Sequence, residues 1–153
     1  MRYLGVGERI ILAVWVGGLW AIGFLAVPVL FHTLNDRTLA GEVAAPMFTL
    51  INAIGLVCGA LLLIAMALEG SRGWYRSWRA GVIALMMLGM AVILFVIQPQ
   101  MAALKAHAVG GALGPRFGRL HGISSVIYLL VSVFGLLLVG GEGRRGQTVD
   151  RIE

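Results

Sequence analysis

One stretch of this sequence, Phe117–Ser125, brings an arginine, a histidine and two serines close together. His121 and Ser125 are four residues apart, so a helix would place them on one face. A neutral imidazole is a ligand for haem iron and for copper, and a serine hydroxyl forms hydrogen bonds. The stretch opens a long apolar run, where an unpaired polar group is costly. It therefore predicts either a binding site or hydrogen-bonded packing between helices.

Other polar residues are predicted at the same level of the membrane. We predict one polar cluster at the outer face, formed by His32, Asn52, Gln98, Arg119, His121 and Ser125. Three interpretations stay open. The cluster is a hydrogen-bonded plug that ties helix ends together, a haem or copper site with His32 and His121 as ligands, or a path for a small solute or proton. No carboxylate lies deep in an apolar run, which argues against a proton-coupled transporter.

A catalytic set is missing from the pattern. The sequence has no paired carboxylates, no thiol beside a base and no phosphate-binding glycine loop. Cys58 is the single cysteine, so no intrachain disulfide forms, and its mid-run position indicates packing. Met86, Met87 and Met90 offer thioethers that suit Cu(I), but without Cys or His in that run they are more typical of adaptable packing. We expect no enzyme activity and no resident cofactor, with haem or copper as the alternative.

Four apolar segments must position these residues. The chain of 153 residues is 59% hydrophobic and 12% charged, with a mean hydropathy of +0.93, whereas soluble proteins carry about 25% charged residues. Each uncharged run exceeds the ~20 residues that cross a bilayer as a helix. The predicted fold class is all-α, an integral membrane four-helix bundle. We expect helices at about 9–34, 46–68, 79–98 and 120–140, a membrane domain over 1–141, and a disordered cytoplasmic tail over 142–153.

The basic residues predict the orientation of the bundle. One side carries Arg2, Arg9, Arg72, Arg76, Arg79, Arg144, Arg145 and Arg151, and the other carries Arg37, Lys105, Arg116 and Arg119. Eight against four places both termini in the cytoplasm, in a bacterial-type inner membrane. Trp74, Tyr75 and Trp78 lie among the arginines of the loop 69–79 and form an interfacial belt. The expected partner is therefore the lipid bilayer and not nucleic acid.

Small residues and prolines predict how the helices pack and bend. Gly17, Gly18, Ala21 and Gly23 form a small-residue face on the first helix, and Gly55-x-x-x-Gly59 forms one on the second. Such faces let helices approach closely, and they predict a homodimer. Pro28 cannot donate to the carbonyl of Phe24, so we expect a kink there, and another at Gln98-Pro99. Asn35 or Asp36 is expected to cap a short surface helix over 38–44, before Pro46 opens the second span.

Several segments together resemble a known family. They are Trp15-Val-Gly-Gly-Leu-Trp20, Val27-Pro-Val-Leu-Phe31, Ala40-Gly41, Met47-Phe48 and Phe117-Gly-Arg-Leu-His-Gly-Ile-Ser-Ser125. The chain resembles the transmembrane-protein-205-like family, whose bacterial members carry domain of unknown function 4149, from Arg9 to about Gly140. The most specific piece is the aromatic-x-R/K-x-H-G-x-S pattern that enters the last helix.

The resemblance implies a four-helix membrane domain with no established biochemical role, such as a small-solute or stress-tolerance component. The chain is also distantly similar to copper-resistance protein D and to haem-binding four-helix protoporphyrinogen oxidases, through its tryptophan-glycine first helix and its apolar-Pro-x-x-Phe segment. Those oxidases carry a histidine early in the first helix, where this chain has Arg9-Ile10-Ile11.

Overall fold

The computed structural model describes residues 2–68, 74–107 and 114–146, and every regular element in these ranges is a helix. Six are α-helices: α1 Arg2–Trp20, α2 Val27–Thr33, α3 Arg37–Leu68, α4 Trp78–Val92, α5 Gln98–Ala106 and α6 Pro115–Gly146. Two π-helical turns, Ala21–Ala26 and Ile93–Ile97, join α1 to α2 and α4 to α5. A single 3₁₀ turn, Trp74–Arg76, precedes α4.

These elements form four long apolar rods. Span 1 covers Gly5–Thr33, span 2 Arg37–Leu68, span 3 Trp78–Ala106 and span 4 Pro115–Gly141, and each is long and apolar enough to cross a membrane. The predicted all-α four-helix bundle is confirmed, and the chain is a multi-pass membrane protein. We call the end where spans 1 and 2 are joined the Asp36 end; span 3 finishes and span 4 begins there too.

Span 2 begins earlier than the sequence predicted. The expected surface helix over 38–44 and the expected span over 46–68 are one continuous helix, with Pro46 inside it. Asp36 starts this helix, because its Oδ1 accepts from the backbone N–H of Thr38 at 2.8 Å and of Leu39 at 3.4 Å. The capping role predicted for Asn35 or Asp36 therefore belongs to Asp36. As a result, Asn52 lies midway along α3 and not near its end.

The other helix limits also differ from the prediction. Span 4 begins at Pro115 and not near residue 120, because proline suits the first turn of a helix, where its missing N–H is not needed. Its helix continues to Gly146, past the predicted start of the tail at 142; residues 147–153 lie outside the described residues. Ser77 caps α4 by accepting from the N–H of Ala80 at 3.2 Å. Of the predicted interfacial belt, Arg72 lies outside the described residues.

The four spans pack in a ring. The α1 helix contacts α3 and α6, and α4 contacts the same two helices, so spans 1 and 3 are diagonal neighbours, as are spans 2 and 4. Trp15 is fully buried, together with Leu12, Leu19, Leu62, Ile83, Met86, Met90 and Leu138. Close approach depends on two glycines of α3. A Cβ at Gly55 would overlap the Met90 sulfur, and one at Gly59 would lie 2.7 Å from the Met87 sulfur.

The predicted small-residue faces are thus used largely inside the chain. Gly55 and Gly59 contact Trp15 and the methionines of α4, Gly18 faces Ile51, and Gly23 faces Tyr128. Gly17 remains open, with no atom within 4 Å of the position of an added Cβ. A homodimer through the first two helices stays a prediction, and Gly17 and Ala21, both exposed, are the parts of the first face left for it.

The two predicted kinks are π-helical turns. In each, the residue before the proline donates its N–H five residues back: Val27 to the carbonyl of Ile22, and Gln98 to that of Ile93. The proline that follows cannot donate at all. The wider turn shifts the hydrogen-bond register just ahead of the residue that would interrupt it. Spans 1 and 3 therefore both contain a π-helical turn followed by a proline in the Asp36 half of the bundle.

Candidate functional site

Asn52 is one of two polar residues that are fully buried in the described part of the chain, the other being Ser132. The Asn52 side chain is 0% exposed, and its amide nitrogen donates to the carbonyl of Phe48, one turn earlier, at 2.8 Å. The amide oxygen, Oδ1, has no hydrogen-bond partner. Phe48, Asn52 and Gly55 lie on one face of α3, which points into the bundle because Phe48 packs edge-on against Tyr128 of span 4. Asn52 therefore presents an unused acceptor to the interior.

Trp15 supplies an unused donor beside the same face. Its indole is 0% exposed, and Nε1–H has no hydrogen-bond partner. The position of an added Cβ at Gly55 lies 2.6 Å from this nitrogen, so the indole edge rests on the backbone one turn from Asn52. Buried tryptophan N–H groups usually find a partner. A donor and an acceptor, both unpaired, thus flank Gly55 in the middle of the bundle.

Thr49 and Gln98 join spans 2 and 3 on the Asp36 side of Asn52. The Thr49 hydroxyl lies 3.0 Å from Oε1 of Gln98 and 3.0 Å from the carbonyl of Ala45. Gln98 is half-buried and is the residue that closes the second π-helical turn. This contact ties the proline-containing half of span 3 to α3.

Tyr128 makes the corresponding tie between spans 4 and 1. Its hydroxyl donates to the carbonyl of Leu19 at 2.7 Å, just before the first π-helical turn. The ring lies against Gly23, inside that turn. Ser132 donates to the carbonyl of Tyr128 at 2.8 Å and is fully buried, and the Trp20 indole N–H reaches the carbonyl of Ser132 at 3.4 Å. Each π-helical turn is therefore held by a polar contact from the neighbouring span.

The rest of the predicted cluster faces outward. His32, Arg119, His121 and Ser125 are exposed on the surface of the bundle, and the structure shows no contact between the two imidazoles. Both Ser124 and Ser125 donate to the carbonyl of His121 at 2.8 Å, so their hydroxyls are satisfied within their own helix. The His121 ring lies parallel to that of Phe117, with centroids 6.3 Å apart. Of the six predicted residues, only Asn52 and Gln98 point between spans.

Metal binding gains no direct support from this arrangement. Within the described ranges, no group of three or more His, Cys, Asp or Glu side chains could hold a metal ion. Two ligands from His32 and His121 are not tested by that observation, so haem or copper ligation stays a prediction. An absorption spectrum and an elemental analysis of the purified protein check it directly.

The comparison with protein families matches most of these elements. A family model described as a domain of unknown function, DUF4149, matches residues 10–110. The chain belongs to the DUF4149 family. The matched part of this family member includes Trp15, Asn52 and Gln98, together with both π-helical turns, whereas span 4 and the Phe117–Ser125 stretch lie beyond it. Neither a curated protein nor a solved structure matches the chain significantly.

The sequence analysis singled out neither Trp15 nor Tyr128 as a residue of the candidate site of this DUF4149 protein. The structure places the Trp15 indole N–H beside Gly55 and the Tyr128 hydroxyl on the carbonyl of Leu19. A signal was available for both. A tryptophan or tyrosine in the middle of an apolar span brings one N–H or O–H that water cannot satisfy there, so each marks a position where the interior needs a hydrogen-bonding group.

Proposed function

We propose that this protein is a non-enzymatic membrane protein that lets a small polar solute through its bundle at Asn52. The observation that carries the proposal is the unpaired Oδ1 of Asn52, in a side chain with no exposed surface. Leaving a buried acceptor unsatisfied costs about 1–3 kcal/mol. Polar residues inside membrane spans often line the path of a substrate or ion. A solute that donates a hydrogen bond would satisfy this oxygen, and one that also accepts would satisfy Trp15.

The plug interpretation accounts for the other polar contacts but not for this pair. Thr49 with Gln98, and Tyr128 with Leu19, tie neighbouring spans together, as a plug requires. Asn52 and Trp15 contribute no bond of that kind through Oδ1 and Nε1. An unpaired buried donor or acceptor is a cost that packing between helices does not explain, so the unpaired atoms favour a solute.

The π-helical turns support a way for a solute to enter. Both lie in the Asp36 half of the bundle, one in span 1 and one in span 3, and these spans face each other across the diagonal. Turns of this kind interrupt the regular helical ladder and often occur at functional sites. Bending of the two proline-containing segments, α2 and α5, would widen the Asp36 end and give a solute access to Asn52 from that side.

The proposed setting follows the charge distribution. The two-to-one excess of Lys and Arg supports cytoplasmic termini in a bacterial-type inner membrane, with the Asp36 end outside. Relationship to the transmembrane-protein-205-like family, and through it a role in stress tolerance, is part of the proposal and rests on the motifs of spans 1 and 4.

Flux through reconstituted vesicles tests the proposal. Wild-type protein in liposomes should speed the passage of urea or glycerol, followed by stopped-flow light scattering, or of protons, followed by a trapped pH dye. The Asn52→Val variant should fall to the rate of empty vesicles. Thr33→Val is the matched control, because its hydroxyl is exposed and bonds only to Val29 in its own helix, at 2.8 Å. Wild-type rates equal to empty vesicles for all three probes would refute the proposal.

A further inference from the structure

Span 4 carries a groove on its outward surface that the proposed solute site does not use. A shallow depression, open to the surroundings, is lined by Arg119, Gly122, Ile123, Val126 and Ile127, all of α6. Gly122 contributes no side chain to it, and an added Cβ there would meet no atom within 4 Å. Ile123 and Val126 are more than half exposed and form apolar walls. We propose that this groove seats an anionic phospholipid, with an acyl chain over Gly122 and the phosphate at Arg119.

The level of the groove in the membrane suits a lipid. Span 4 covers 115–141, and a hydrocarbon core takes about 20 helical residues, so a centred core leaves Arg119 at its boundary. From Arg119 to Val126 the helix advances about 10 Å into that core. Phosphate groups lie at the boundary and acyl chains below it. The charged and apolar parts of the groove therefore stand where the two parts of a phospholipid lie.

Charge selects an anionic headgroup. The chain has no Asp or Glu between residues 98 and 141, whereas Lys105, Arg116 and Arg119 all fall in this range. Lys105 sits over the ring of Phe117 at 5.8 Å, which brings a second cation beside the first turns of α6. The acids at this end of the bundle, Asp36 and Glu42, belong to span 2, which is diagonal to span 4, and Asp36 caps α3. The positive N-terminal end of α6 adds to the same field.

A second copy of the chain fits the groove of span 4 less well than a phospholipid does. Two copies in one membrane have the same orientation, so their Arg119 side chains lie at the same depth. If this face packed against itself, two arginines would meet at the boundary without an acid to pair them, which is unfavourable. A lipid phosphate instead supplies the missing negative charge.

Native mass spectrometry of the intact protein in mild detergent tests the site. Phosphatidylglycerol and phosphatidylcholine are added in turn, and the retained lipids are counted. Wild type should retain about one phosphatidylglycerol per chain in preference to phosphatidylcholine. Arg119→Gln should weaken that preference about fivefold, since one basic residue near an anionic surface has an effect of this size. Gly122→Leu should fill the groove and lose both lipids.

Two controls share the chemistry of these variants but lie elsewhere. Gly81→Leu adds the same side chain at an open glycine of α4, and Arg37→Gln removes an exposed cation from the start of α3; both should retain lipid as wild type does. Equal retention of the two lipids by wild type, or equal loss in variants and controls, overturns the proposal. A change in oligomeric mass on Gly122→Leu also overturns it, because the groove would then hold a second copy. Normal solute flux in these variants separates this site from Asn52.

Discussion

Gly23 shows how closely one residue in this bundle is constrained. An added Cβ would lie 3.1 Å from both the Cζ and the hydroxyl oxygen of Tyr128, and closer still to the ring edge. Gly23→Ala should therefore lower the free energy of unfolding by about 1–3 kcal/mol, as overpacking usually does. Gly17→Ala, in the same helix with open space around it, gains the same helix propensity and should not destabilise. Equal thermal stability of the two variants in detergent would contradict this packing.

The Tyr128 hydroxyl tests a single hydrogen bond between spans. Tyr128→Phe removes its donation to the carbonyl of Leu19 and keeps the ring. Hydrogen bonds between membrane helices average about 0.6 kcal/mol and reach about 1.7 kcal/mol. We expect a loss of stability within that range, measured by unfolding in mixed micelles. Thr33→Val should change stability less, because its hydroxyl bonds within its own helix on the surface. Indistinguishable losses would mean that the Tyr128 bond contributes nothing.

For individual residues, the sequence predicted which polar side chains occur in the spans better than it predicted which way those side chains face. All six residues were predicted to form one cluster at the outer face; in the structure Asn52 and Gln98 lie between spans, whereas His121 and Ser125 point outward. In a membrane both the lipid-facing and the core-facing sides of a helix are apolar, so hydropathy gives little information on the rotation of a span. Phe48 and Tyr128 settle that rotation through a contact between distant segments, and a single sequence does not show such a contact.

The two proline-containing segments allow a prediction about the bending of a span. Pro99→Ala restores an N–H after the second π-helical turn, which lets the helical ladder close. Span 3 should become stiffer, so thermal stability should hold or rise while solute flux falls. Pro115→Ala is the control, since proline in the first turn of α6 costs no hydrogen bond. Unchanged flux in Pro99→Ala would show that bending of span 3 is not needed.

Helix existence was predictable, but helix geometry was not. Four apolar runs predicted four spans, because a single segment inside lipid can satisfy its backbone hydrogen bonds only as a helix. The prolines marked both bends, yet nothing local distinguishes a π-helical turn from a simple kink. The predicted span 2 is too short, because proline is typical of the first turn of a helix and Pro46 therefore suggests a helix start. The cap at Asp36 instead starts one helix that runs through that proline.

The whole molecule has an orientation that fusions can test. If both termini are cytoplasmic, a green fluorescent protein joined after Glu153 should fluoresce, and alkaline phosphatase at the same point should be inactive. Phosphatase inserted between spans 3 and 4 should be active. The expectation follows from eight basic residues on one side against four on the other. The reverse pattern of activities would mean that the basic loop before span 4 overrides the count.

The solute site at Asn52 is tested most sharply by measuring the stability and the solute flux of Asn52→Val on the same preparation. Valine is close to asparagine in size and has no polar atom, so the variant removes the unpaired Oδ1 without opening a large cavity. If Asn52 serves a solute, the melting temperature should stay equal or rise, while urea, glycerol or proton flux falls to that of empty vesicles. If Asn52 serves only packing, the melting temperature should fall and flux should not depend on the substitution. That second outcome would contradict the account.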